Sequence, residues 1–84
     1  MTNAIKFQKV HYTDRLYSQF LLDHLTNIVS IRNFVSLKDY AIATFLDYKN
    51  DSEEYGWTDE TIFNARIRRD DKGFYLDLPD PVKL

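Results

Sequence analysis

Three groups of side chains in this sequence have the types and spacing to do chemistry. Between residues 51 and 60, the carboxylates of Asp51, Glu53, Glu54, Asp59 and Glu60 surround Tyr55 and Trp57, which flank Gly56. Rigid aromatic anchors in a negative field suit the capture of a basic protein surface, because the rings supply contact area and the carboxylates steer the approach. The same rings folded back onto a core would leave only a solvated acidic loop. The second group is basic: Arg66, Arg68, Arg69 and Lys72 with Tyr75. Guanidinium groups beside a phenol on an exposed sheet hold phosphates and stack bases, as binders of single-stranded RNA or DNA do. The competing reading is local, with Arg66 paired to Asp77 and Arg68 stacked on Tyr75 as cross-strand contacts of about 0.2–1 kcal/mol each.

The third group is the pair of imidazoles, His11 and His24. Neither belongs to a recognisable nucleophile or acid–base motif, so catalytic residues are not expected and the chain reads as no enzyme. The histidines lack the spacing of helical metal ligands. The acidic stretch lacks the alternating oxygen ligands, central glycine and closing glutamate of a calcium loop. No metal and no cofactor are therefore expected.

These groups need a scaffold, and its clearest part runs from Thr61 to Pro79. Phe63, Ala65 and Ile67 alternate with Asn64, Arg66 and Arg68, and after Asp70-Asp71-Lys72-Gly73 the alternation resumes with Phe74, Leu76 and Leu78 against Tyr75 and Asp77. Period-2 alternation on both sides of a turn predicts a β-hairpin with a four-residue loop, Arg68 opposite Tyr75 and Arg66 opposite Asp77. Upstream, residues 4–12 alternate loosely and predict a first strand. Thr13 is the expected cap of a helix reaching roughly to residue 30, whose apolar stripe is Leu16, Phe20, Leu21, Leu25, Ile28 and Val29. Residues 36–48 fit two readings. Ser36 with Asp39 three residues on would cap a helix along Leu37, Ala41, Phe45 and Tyr48, whereas alternation from Tyr40 to Tyr48 predicts a strand. The strand is preferred, because a lone hairpin is marginal in water and needs a third partner. The prolines at 79 and 81 are expected to end regular structure.

Composition bounds what this scaffold is. The chain has 84 residues, 44% of them hydrophobic and 15% aromatic, no cysteine and a net charge of −2, which predicts one α+β domain over 1–84. A chain this short hides only about 60% of its unfolded surface, so a homodimer is expected on size grounds. Charge is uneven: residues 39–60 hold one basic and seven acidic side chains, whereas residues 1–38 hold five and two. The net charge of −2 as a whole argues against gripping duplex DNA through phosphates alone. Without an apolar run long enough for a span, a basic-then-apolar leader or a cysteine, the expectation is a cytoplasmic protein that does not enter a membrane.

Ala41 to Asp47, Phe63 to Arg69 and Gly73 to Pro79 together resemble the β-meander of the SpoVG-type septation regulators. The resemblance implies a strand at 41–47 and membership of a group that binds nucleic acid, and it assigns no contact residue here. The expected architecture is a strand, one long amphipathic helix and a three-stranded antiparallel meander on which the helix packs. The expected function is a small protein-binding regulator or inhibitor, akin in composition to phage-encoded inhibitors, whose acidic aromatic loop meets a basic partner such as a nucleic-acid-binding enzyme. The alternative is single-strand binding by the arginine face.

Overall fold

The fold grows around α1 (Arg15–Arg32), the one long helix in a computed structural model that describes residues 7–48 and 50–84 and, of Asn50 and Asp51, the backbone alone. Asp14, not Thr13, caps it: its backbone is extended and its carboxylate accepts from the Leu16 N–H at 2.9 Å. At the other end Asn33 adopts φ 68° and returns its N–H to the Val29 carbonyl at 2.8 Å. Asparagine tolerates this left-handed conformation, so the helix stops there at little cost. Ser18, Leu21, Leu25 and Val29 are buried. Leu16 and Phe20, expected inside, are 52% and 56% exposed. At 3.6 residues per turn they lie about 160° round the helix from Ser18, too far to share one buried stripe.

The strand expected at 40–48 is instead helix α2 (Leu37–Thr44). The Ser36 hydroxyl accepts from the Asp39 N–H at 3.1 Å, and the Asp39 carboxylate accepts from the Ser36 N–H at 3.0 Å. Two N–H groups that an isolated helix start leaves unpaired are thus satisfied reciprocally, which a strand at this position would forgo. Arg32, from the last turn of α1, pairs with the same Asp39 carboxylate. Burial pulls the Asp39 pKa up, but the Ser36 hydrogen bonds and Arg32 outweigh it and hold the carboxyl below its ordinary value. Helix α2 ends at Phe45, φ 61°, and the following Leu46 N–H closes on the Ala41 carbonyl at 2.9 Å.

The α+β class holds, but the three-stranded meander does not form; the strands divide into two sheets. In the first, β2 (Tyr55–Thr58) lies between β1 (Phe34–Ser36) and β5 (Val82–Lys83), antiparallel to both. Val35 faces Trp57 and Ser36 faces Gly56 across the β1–β2 ladder. A Cβ on Gly56 would stand 2.0 Å from the Val35 carbonyl oxygen, so only glycine lets these backbones approach. Regular structure therefore resumes after Pro81, contrary to expectation, because the Val82–Lys83 strand has an open edge of β2 to join.

The second sheet is the expected hairpin, β3 (Arg66–Asp70) and β4 (Gly73–Asp77), with Arg66 opposite Asp77 and Arg68 opposite Tyr75. Its loop is two residues, not four, because Asp70 and Gly73 themselves pair. Gly73 takes φ 129°, and a Cβ there would lie 2.5 Å from the Tyr12 carbonyl oxygen. Thr61 to Phe63 form the end of α3 (Asp59–Phe63) and not the start of the hairpin. Of the expected first strand, residues 4–6 lie outside the described residues. Residues 7–11 carry no strand, and Tyr12 alone bridges to Phe74 through two hydrogen bonds of 2.8 Å.

Three aromatic rings knit these pieces together. Phe7, Tyr40 and Trp57 meet edge to face with centroids 5.2–5.6 Å apart. Around them Leu25, Val29, Val35, Ile62 and Leu76 are 2% exposed or less. The Tyr40 hydroxyl receives the Val10 N–H at 3.3 Å and points at the Gln8 carbonyl at 3.4 Å, tying the segment before α1 onto α2. Burial pushes the Tyr40 phenol up to about 12. No helix among the described residues is long and apolar enough to cross a membrane.

Candidate functional site

The acidic stretch is not a loop but three short elements. Residues Asn50–Glu53 form a 3-10 turn, Tyr55 to Thr58 are β2, and Asp59 and Glu60 open α3. Carboxylates in a helix's first turn face its positive end, which gives Asp59 and Glu60 a local structural role. The Asp59 side chain also accepts from the Glu60 N–H at 2.8 Å. Glu53 pairs with Lys38 of α2 at 2.7 Å, and this hydrogen bond raises the Lys38 pKa. Glu54 is exposed, Tyr55 is half-buried opposite Lys83, and the Asp51 side chain lies outside the described residues.

Trp57 is the largest departure from expectation. It is 2% exposed, and its indole N–H donates to the Pro79 carbonyl at 2.8 Å. A central strand with its polar N–H satisfied internally leaves this ring no surface for a partner. Of the seven residues expected to bind protein, Glu53 and Glu54 go with the turn packed on α2, while Asp59 and Glu60 go with α3, which packs on α1. They do not make one patch with Trp57 at its centre.

On the hairpin, the structure brings together a longer row of groups than the arginines alone. Tyr12 bridging to Phe74 lays residues 9–12 beside β4, so Lys9 and His11 join the outer face. The Lys9 ammonium stands 5.1 Å over the Tyr75 ring and 3.7 Å from Asp77, and the His11 ring is 5.1 Å from Tyr75. Arg68 pairs with Asp77, its diagonal neighbour, where the expected pairing was Arg66 with Asp77 and Arg68 on Tyr75. The Tyr75 face is occupied by Lys9 and His11 instead. Asp70 accepts from His11 at 3.0 Å and from the Lys72 N–H at 2.8 Å. Desolvation pulls the Asp70 pKa upward, but these bonds outweigh it and hold it below its ordinary value. Arg69 lies over Phe74 at 5.3 Å. Arg66 and Lys72 have no side-chain partner among the described residues.

One exposed feature that the sequence did not mark as a site is Phe45. Its side chain is 96% exposed, and one turn earlier Ile42 is 54% exposed. Tyr48, 50% exposed, follows with the Lys38 ammonium 5.5 Å over its ring. Lys38 is held by Glu53, so the charged turn and these apolar side chains adjoin on α2. The signal was present in Ser36-x-x-Asp39: a helix started there and eight residues long puts Phe45 at the left-handed terminating position.

Among the described residues no group of three or more acidic, histidine or cysteine side chains converges to hold a metal ion. An open groove of 720 Å³ runs between residues 7–11, the end of α2 and the hairpin turn, with Lys9, His11, Lys72 and Asp80 on its walls. Comparison with protein-family models, with curated proteins and with solved structures finds no match to this chain.

Proposed function

We propose that this chain is a protein-binding regulator or inhibitor without catalytic activity, and that it engages a basic partner surface through Phe45. Ile42 and Tyr48 extend the apolar contact, and Asp47 and Glu54 supply the carboxylates, Glu53 being held by Lys38. The observation that supports this reading is the state of Phe45 itself. A non-glycine residue in the left-handed region costs about 1–2 kcal/mol, and a ring 96% exposed returns nothing to the fold in exchange. An exposed aromatic with further apolar side chains beside it has the composition of a binding hot spot. This reading differs from the expected one, whose anchors were Tyr55 and Trp57 within residues 51–60: it takes the anchor from the end of α2 instead.

The test is capture from extract of the source cell, after nuclease treatment, with the parent chain and with Phe45→Gly as baits. The expected result is a basic protein retained by the parent and depleted at least tenfold on the variant. Identical protein profiles on the two baits would remove Phe45 from the interface.

A further inference from the structure

Helix α1 carries a second row, apolar at its ends and polar at its centre, that the core does not bury, although the Tyr17 ring touches Tyr12 at 5.9 Å. Tyr17, Phe20, His24, Asn27 and Ile31 follow one another at intervals of three, four, three and four residues, the spacing of a two-helix seam. They lie on the side away from the core: Tyr17 is 55%, Phe20 56% and Ile31 83% exposed. The Tyr17 and Phe20 rings already meet edge to face at 6.3 Å. No Asp, Glu, Lys or Arg interrupts the row.

We infer that this face is the contact between two copies of the chain, paired antiparallel about a two-fold axis passing between His24 and Asn27. In that register Phe20 of each copy meets Ile31 of the other, and His24 meets Asn27. Apolar side chains therefore cover apolar ones, and the two polar groups, which would otherwise be desolvated singly, pair at the centre and fix the register. The border residues agree. Asp23 of one copy falls opposite Ser30 of the other, so no like charges oppose each other, and the helix dipoles run antiparallel. The row spans about 21 Å of helix. Phe20 and Ile31 carry the seam; with Tyr17, which falls opposite position 34 beyond the helix, and Leu16 at its margin they leave at most roughly 400 Å² per copy to cover, half or less of the ~800 Å² per partner in a standard interface. The contact is accordingly a reversible dimer that forms at roughly micromolar or higher concentration. It is separate from Phe45, so either surface can fail without the other.

Sedimentation equilibrium of the full chain tests it, with Phe20→Glu, Ile31→Lys and an equimolar mixture of the two. Both positions are more than half exposed, and circular dichroism checks that each variant keeps the fold. The parent should show a concentration-dependent monomer–dimer equilibrium, and each variant alone should dissociate at least tenfold more readily. The mixture should recover dimer to within about threefold of the parent, because only the antiparallel register sets the introduced carboxylate against the introduced ammonium and leaves Ile31 of one against Phe20 of the other. A parent that stays monomeric up to roughly 500 µM, variants that associate like the parent, or a mixture without recovery would each overturn the assignment.

Discussion

Trp57 and Phe45 stand in opposite relations to the fold, and each occupies the place its sequence surroundings suggested for the other. Trp57, in an acidic run that looks like a solvated loop, is 2% exposed; Phe45, in an apolar run that looks like a buried strand, is 96% exposed. The difference is set by backbone events near each ring and not by hydrophobicity. Gly56 lets β1 close on β2 and carries its neighbour Trp57 into the core, where Pro79 supplies an acceptor. The Ser36–Asp39 box starts a helix whose length delivers Phe45 to its left-handed end, where its ring faces solvent. One aromatic is where the chain needs it for stability, and the other is where a stable chain would have glycine.

The contrast is broken most severely by Trp57→Ala. Removing a buried ring from the aromatic trio should cost about 3–5 kcal/mol, enough to leave a domain of this size largely unfolded, as urea titration followed by circular dichroism would show. An intermediate effect is expected from Asp39→Asn, which weakens the box that aims Phe45. About 1 kcal/mol should be lost at neutral pH. Because the folded carboxyl has a lowered pKa, its contribution is present above the unfolded value of about 3.9 and disappears as pH falls through the folded value. Thermal melts of parent and variant should therefore differ at pH 7 and converge in acid below that range; a constant gap would show that the charge is irrelevant. The smallest change has the opposite sign. Phe45→Gly should stabilise by about 0.5–1 kcal/mol, seen as a melting temperature raised by about 4–8 °C per kcal/mol. A lower melting temperature would mean that the Phe45 ring supports the fold after all.

The legible parts of this fold are those whose pattern repeats over many residues. Helix α1 and the hairpin register of Arg66 with Asp77 could be read because each spans enough residues for its period to declare itself. Residues 36–48 could not be assigned by period, since Ile42, Ala43, Phe45 and Leu46 satisfy both alternation and helical spacing, and a capping bond decided between them. The acidic stretch was opaque for another reason. Its 3-10 turn, strand and helix are four or five residues each, shorter than any window in which periodicity is visible. The candidate surface inherited both difficulties: Phe45 emerged only once α2 was a helix, and Trp57 left the surface only once β2 had neighbours on both sides. Which face of α1 lies inside was half legible, because Leu16 and Phe20 repeat with the same spacing as the buried row.

One feature of the hairpin bears on how the molecule behaves when crowded. Strand β4 has β3 on one side and Tyr12 on the other, but no described residue pairs with the far edge of β3. Such an edge is an open template on which further chains can add as strands and grow into insoluble polymer. Arg66, Arg68 and Arg69 give this edge three positive charges within four residues, so an approaching copy of the same strand meets electrostatic repulsion before its backbone can dock. Like charges along an open strand edge are a general device against strand addition, and here Arg66 is the one of the three with no side-chain partner among the described residues, since Arg68 pairs with Asp77 and Arg69 lies over Phe74.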